Sequence, residues 1–333
     1  MTYTKPLNSK GRVRKAGKTL AGRVDQGLTQ EEARQIAANW RSAHAYPTWV
    51  IRAYLTTKVK SLSIKSTIAS RTKKMPTIIS KLSEGIISDL SSMQDIGGCR
   101  VVVDTLSDAL TVADCLENGK TRTHEVIRKK DYFSAPKESG YRGVHLISKY
   151  NSAKKPEYKG MQVETQIRTR LVHNWATTIE AVDLMEGSML KRSNGSDEWK
   201  LFFKLVSDHI ARTEKANRVI KDKTPEEVDS NIRYLRSQLG VCEKLHSWES
   251  AAFIHDRFKG KLGKHFIVSL EDGKSTLRIF PNSEKAEDHY RQLEEDKKIN
   301  AVSVAAENID SVRSIYPNYF LDCKDFRKYV EHI

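Results

Sequence analysis

The spacing of apolar positions changes several times along the chain, and each change marks an element. Between Lys159 and Arg168, Met161, Val163, Thr165 and Ile167 alternate with Gln162, Glu164, Gln166 and Arg168. A period of two puts the first set on a core face of one strand and the second set on the other. Gly98–Asp104, Gly143–Tyr150, Ser66–Arg71 and His124–Lys129 predict four further strands. A helix starts at Thr29, because Thr29-Gln30-Glu31-Glu32 is a capping box. A second follows Pro47 and carries Trp49, Val50, Ala53, Tyr54 and Leu55 inward. Pro76 opens a short helix through Leu82, and Ser107–Leu116, Arg170–Met185 and about Glu198–Asn217 read as helices over the strands. The alternation predicts an α/β (α+β) fold: a mixed β-sheet flanked by helices.

The pattern changes style after Asn217. Thr224–Phe258 reads as long helix with Gly240 as its break. His265–Leu270 and Ser275–Pro281 flank Glu271-Asp272-Gly273-Lys274, an Asp-Gly hairpin signal. A helix (Ser283–Lys297), a strand (Ala301–Ala305) and short helices complete a ββαβα order. The divisions expected are a basic flexible arm (1–27), a principal domain (28–220), a helical connector (221–260) and a small separate C-terminal domain (261–333). Ile315, Tyr316, Tyr319, Phe320 and Tyr329 read as core of that last part.

Charge sharpens the picture. Of 333 residues, 38% are apolar and 30% charged, and no run reaches the eighteen or so apolar residues of a membrane helix. The basic N-terminus has no apolar stretch of secretory type. Cys99, Cys115, Cys242 and Cys323 lie far apart with no CxxC pair, so a reducing cytoplasm is the expected location. The net charge is +15, and residues 1–83 hold +14 of it, with 17 Lys/Arg against Asp25, Glu31 and Glu32. From Arg34 to Glu84 there are ten Lys/Arg and no acid before Glu84. A block so one-sided favours a polyanion, either nucleotide phosphates or an RNA backbone.

Three clusters carry candidate chemistry. Ser70-Arg71-Thr72-Lys73-Lys74-Met75-Pro76-Thr77 puts cations before a helix N-terminus, which favours anions. Gln94-Asp95-Ile96-Gly97-Gly98-Cys99-Arg100 offers a carboxylate for Mg²⁺ and two glycines that let backbone approach a ligand. Lys129 to His145 interleaves cations with Tyr132 and Tyr141 in a glycine-containing loop suited to stacking on a base. Taken singly, each also fits a solvated loop, a strand-opening turn or a plain hairpin. Trp175 and His173 on the following helix read as structural.

The order Arg71-Thr72-Lys73, Asp95-Ile96-Gly97-Gly98-Cys99-Arg100, Asp131-Tyr132 … Pro136-Lys137-Glu138-Ser139-Gly140-Tyr141-Arg142 … His145, then Val163-Glu164-Thr165-Gln166-Ile167-Arg168-Thr169 resembles the RelA/SpoT-type alarmone synthetase domain over roughly Pro47–Asn217. The resemblance implies a nucleotidyltransferase-like domain that transfers pyrophosphate from ATP to the ribose 3′-hydroxyl of GDP or GTP, with Mg²⁺ or Mn²⁺. Matched position by position, Arg71 and Lys73 fall on donor ATP-binding residues, with Arg100 behind them. Asp95 falls on the metal ligand, and Glu164 on the carboxylate that assists the metal and activates the acceptor. Tyr141 falls on the aromatic that stacks on the acceptor base. Lys130, Lys137, Arg142, His145, Gln166 and Arg168 fall on positions lining the acceptor and phosphate sites. Ser70, Thr77, Phe133 and Gly143 depart from the usual residues and leave acceptor and metal preference open.

Other readings stand beside the leading one. Some small members of the family are toxins that make adenosine analogues or modify the 3′ end of tRNA, and the basic first quarter suits tRNA. A catalytically silent RNA-binding protein is a further alternative, opposed by the presence of both Asp95 and Glu164. The seventy or so residues before Arg71 are too few for the family's hydrolase domain, so a synthetase without its own hydrolase is expected. His255-Asp256 reads as structural. The C-terminal part is a candidate to bind a regulator or antitoxin, to neutralise the active site, or to form a homo-oligomer contact.

Overall fold

Thr29 makes the capping box that its sequence announces: its side chain accepts from the Glu32 backbone N–H, and the Glu32 carboxylate accepts from that of Thr29. In this computed structural model the described residues are 3–23, 27–185, 195–251, 265–271, 274–296, 299–306, 309–320 and 322–333. They form α1 (Lys10–Leu20), α2 (Gln30–Ala43), α3 (Ala45–Ser61), β1 (Ser66–Thr72), α4 (Met75–Ser83), β2 (Gly97–Val103), α5 (Leu106–Glu117), β3 (His124–Asp131), β4 (Val144–Tyr150), β5 (Gln162–Thr169), α6 (Arg170–Met185) and α7 (Gly195–Thr213). Then follow α8 (Pro225–Gln238), α9 (Val241–Ala251), β6 (His265–Glu271), β7 (Lys274–Phe280), α10 (Ser283–Glu295), β8 (Asn300–Ala306), α11 (Ile309–Ile315) and α12 (Lys324–Glu331). Gly240 breaks the α8–α9 run in the left-handed region, at φ 57°.

The strands make a single sheet in the order β3-β4-β5-β2-β1-β8-β6-β7. Its one parallel pair among the described strands is β2–β5, which makes the sheet mixed as expected. The alternation in β5 holds: Val163, Thr165 and Ile167 are fully buried. They share a face with Cys99 and Val101, against α3 and α5. The inward stripe of α3 differs from the one expected. Ile51, Leu55 and Val59, spaced by four, are buried, whereas Trp49 is 39% exposed. Fully burying an aliphatic side chain contributes about 1.5–3 kcal/mol, so this stripe fixes the helix on the sheet.

Two expectations need correction. Residues 1–27 are not simply a flexible arm, because Lys10–Leu20 is a helix capped by Ser9. Val13, Ala16 and Leu20 face one side and join a core with Ile36, Trp40, Ile78 and Leu82. The C-terminal strands are not a separate domain either. β8 pairs with β1 through Ala69↔Ala306, Ser70↔Ala305 and Arg71↔Val304, and so extends the sheet that carries the site. The predicted β6–β7 hairpin is present, with Glu271 opposite Lys274, and its Asp272-Gly273 turn lies outside the described residues. His255-Asp256 also lies outside them. Among the described residues no disulfide joins the cysteines, and no helix is long and apolar enough to cross a membrane.

Candidate active site

Strand register places the chemistry. Arg71 on β1 lies opposite Gly98 on β2, which lies opposite Glu164 on β5. One step along, Arg100, Gln166, His145 and Lys130 are aligned across β2, β5, β4 and β3. Because opposed residues in a ladder point to the same face, residues far apart in sequence share one polar floor.

At one end of this floor stands Asp95, just before β2. Its Oδ2 accepts from Lys73 Nζ at 2.8 Å and from Lys81 Nζ at 2.7 Å. Burial works to raise the Asp95 carboxyl, and the two ammonium groups outweigh it, holding the group below the usual carboxylate range. Its Oδ1 is buried without a partner. Such an oxygen is expensive to leave bare, and it is the right donor for a hard cation. Lys81, on α4, is a site residue that the sequence reading missed. A single lysine in a short, largely apolar helix carries no spacing signal of its own.

The second carboxylate is held in a closed ring of hydrogen bonds. Glu164 Oε1 lies 2.9 Å from His145 Nδ1, and Glu164 Oε2 accepts from Gln166 Nε2 at 2.8 Å. His145 Nε2 meets the Tyr141 hydroxyl at 2.6 Å, and that hydroxyl accepts from Arg168 at 3.1 Å. Arg168 donates in turn to Gln166 Oε1 at 3.0 Å. The imidazole links the two ends of the ring, with Nδ1–H donating to Glu164 and Nε2 sharing a hydrogen bond with the Tyr141 hydroxyl. Burial would raise the Glu164 carboxyl, but the His145 hydrogen bond and charge, followed by Gln166, outweigh it and lower the pKa to about 2.

Tyr141 also lines a cleft of about 1050 Å³ with Lys137, Arg168, Trp175 and Phe203. Lys137 Nζ sits 5.3 Å from the centre of the Tyr141 ring. Trp175 is packed as a core residue, its indole N–H donating to the Phe203 carbonyl at 2.8 Å.

Some matched residues fall outside this arrangement. Arg142 is 1% exposed and braces other elements, donating to Ser207 Oγ on α7 and to the Asn217 carbonyl. It is a structural clamp and not a cleft residue. Lys130 is exposed on β3, in line with His145 but outside the clefts described. The two glycines also divide their work. A Cβ on Gly97 would lie 2.1 Å from Thr48 Oγ1, so this residue lets α3 approach the sheet, whereas Gly98 faces the cavity between Arg71 and Glu164.

The Arg71 and Arg100 side of the floor is filled by the chain itself. Tyr316, just past α11, presents its ring to both Arg71 (5.8 Å) and Arg100 (5.4 Å). Arg100 also donates to the Ile315 carbonyl at 2.9 Å, and His173 Nε2 lies 2.7 Å from the Ser314 carbonyl. Lys74 lies 4.9 Å from the Tyr319 ring and donates to Asn300 Oδ1. The cavity left between Arg71, Lys73, Asp95, Arg100, Glu164 and Tyr316 is only about 50 Å³. Tyr316 and Tyr319 are buried, as expected of core, and the same burial closes the cleft.

Comparisons with known proteins find similar chains. Residues 70–183 match the family model described as a region found in RelA/SpoT proteins. The chain is 29% identical over 163 residues to the GTP pyrophosphokinase YjbM of Bacillus subtilis, covering 48% of this chain and 73% of that one. It is 33% identical over 118 residues to YwaC, a GTP pyrophosphokinase of the same organism, covering 32% and 53%. The crystal structure of small alarmone synthetase 1 from B. subtilis bound to its product pppGpp aligns at 24% identity, covering 56% of this chain and 93% of that one with a TM-score of 0.46.

Proposed function

Since residues 70–183 of this chain are a RelA/SpoT region, we propose that it is a pyrophosphokinase of the small alarmone synthetase type. It moves the β,γ-diphosphate of ATP to the 3′-hydroxyl of GDP or GTP. The observation that carries this reading is the single polar floor on which two arginines, two carboxylates and two lysines converge. Phosphoryl-type transfer needs little covalent chemistry from a protein, which positions the reactants and offsets charge on phosphate oxygens. Arg71 and Arg100 take the donor base, Lys73 and Lys81 its phosphates, and Tyr141 at the 1050 Å³ cleft the acceptor base. The acceptor 3′-oxygen attacks the β-phosphorus, the bond from the bridging oxygen to that phosphorus breaks, and AMP leaves with the bond's electrons. The hydroxyl proton passes to the Glu164 carboxylate, which His145 and Gln166 hold ionised and oriented.

The bare Oδ1 of Asp95 and the Glu164 carboxylate fit Mg²⁺, which keeps several waters and substrate oxygens and so needs few protein ligands. When bound, the ion supplies charge neutralisation to the phosphate oxygens of the donor.

Tyr316 stands where the donor base would lie, so this arrangement is a closed one, and the C-terminal part neutralises the active site of its own chain. A second acceptor, the tRNA 3′ end, is favoured by the exposed Lys10, Arg12, Arg14 and Lys15 along α1. The test is a product assay on Tyr316→Ala chain with γ-labelled ATP, offering GDP, GTP or deacylated tRNA. Label in a guanosine nucleotide supports the synthetase and label in tRNA alone supports the second reading. Label in neither contradicts both.

A further inference from the structure

The N-terminal stretch that holds no acid between Glu32 and Glu84 contains a fully buried arginine, and all its counter-charge comes from the far end of the chain. Arg41, on α2, donates through one terminal nitrogen to Glu287 Oε1 at 2.5 Å and through the other to Glu294 Oε2, both on α10. Its Nε is buried without a partner. The same Glu294 carboxylate accepts, through Oε1, the Met75 backbone N–H at 3.0 Å. Met75 is the first residue of α4, the helix that carries Lys81 on its far turn. Beside it Lys74 is half-buried, and burial with the Arg71 charge lowers its ammonium pKa to about 8, against the attraction of Glu294.

One carboxylate therefore bridges a buried guanidinium and the opening N–H of a helix, next to the lysine that follows the donor-binding Lys73. A two-oxygen anion held in this way occupies the kind of place a phosphate takes at a helix N-terminus. When α10 leaves, Arg41 loses both of its carboxylates and Lys74 loses a neighbouring one. No residue between 33 and 83 can replace them. Uncovered, Arg41 and Lys74 present two cations with no carboxylate of their own beside the first N–H of α4, an arrangement that favours an anion there.

We propose that Arg41, Lys74 and the first N–H of α4 form an anion subsite of the donor cleft, held shut here by Glu294, which takes the polyphosphate of a nucleoside triphosphate once α10 withdraws. The inference rests on the donor reading given above for Arg71 and Arg100. Tyr316 covers Arg71 and Arg100 while Glu294 covers Arg41 and the first N–H of α4, so side chains of the C-terminal part occupy both places in the closed chain. Arg41 then has two roles: it holds α10 down in one state and binds substrate in the other.

The test compares MgATP with adenosine, which reaches the base slot but has no phosphate, by calorimetric titration of full-length chain carrying Tyr316→Ala. Adding Glu294→Gln tightens MgATP about tenfold and leaves adenosine within about twofold, because only the anion subsite is freed. Adding Arg41→Gln or Lys74→Gln on top reduces the preference for MgATP over adenosine by about tenfold. Lys74→Gln, at a half-buried position, carries the test if Arg41→Gln does not fold. If Arg41 and Lys74 are only structural, those variants keep the same preference as the Glu294→Gln chain, and the subsite is overturned. An unchanged MgATP affinity in Glu294→Gln also overturns it. Failure of every variant to bind adenosine and MgATP contradicts the donor reading itself, and the subsite with it.

Discussion

His145 Nδ1 lies 2.9 Å from Glu164 Oε1, and this contact, more than any charge at a distance, keeps the carboxylate ionised in a half-buried site. Removing the imidazole leaves burial opposed only by Gln166 and Lys73. In His145→Ala the Glu164 carboxyl therefore rises, and the acid limb of the rate profile moves up by about one pH unit or more. A pH–rate series on the Tyr316→Ala chain, with and without His145→Ala, measures the shift. An unmoved acid limb contradicts it.

The same carboxylate makes stability depend on acid. Its folded pKa of about 2 lies below the ordinary value of 4.5, so the unfolded chain binds this proton first. The stabilisation is complete above about pH 4.5 and is lost as pH falls toward 2. Glu164→Gln removes that dependence. Urea titrations between pH 5 and 2.5, read with their approximate spacing against this window, should show a shallower loss of stability in the variant.

Tyr316→Ala opens the donor slot. Two cation–π contacts of about 0.5–2 kcal/mol each are lost, equivalent to roughly fivefold to nearly a thousandfold in ATP affinity. Calorimetry on wild-type and variant chains checks it, and equal ATP affinity in the two contradicts it. The melting temperature should fall at the same time, because Tyr316 belongs to the core between α11 and β8.

The paired glycines separate packing from binding. Gly97→Ala forces a methyl group against Thr48 Oγ1 and destabilises the fold by about 1–3 kcal/mol. Gly98→Ala meets no protein atom closer than 3.9 Å, so it folds normally while narrowing the donor cavity. Melting curves and ATP titrations of the two variants should rank them in opposite orders.

Much of this site is written in local pattern. Glu164, Gln166 and Arg168 are assigned to one face by a period of two, and β5 obeys it because its other face is sealed against α3 and α5. Asp95, Arg71 and Lys73, matched to the family by motif, lie together because each sits at a strand end whose position is set by nearby residues. Arg142 shows the limit of such matching: the same motif stretch also holds a clamp, and only its bonds to Ser207 and Asn217 reveal that. The helix α1 was hidden by its charge. Val13, Ala16 and Leu20 have helical spacing, but seven cations and scattered glycines between Lys5 and Arg23 dominate the reading. The contact of Tyr316 with Arg71 and Arg100 has no local signal at all. It depends on β8 choosing the free edge of β1, a long-range pairing that neither strand announces.

One rate comparison tests the closed slot and its chemistry most directly: transfer of label from γ-labelled ATP to GDP by wild-type chain, Tyr316→Ala chain and Tyr316→Ala/Glu164→Gln chain, all with Mg²⁺. The predicted result is slow transfer by the wild type, transfer faster by about tenfold or more in Tyr316→Ala, and loss of about a hundredfold or more on adding Glu164→Gln. Transfer by wild-type chain as fast as by Tyr316→Ala would contradict the closed donor slot. Transfer that survives Glu164→Gln would contradict the assigned chemistry.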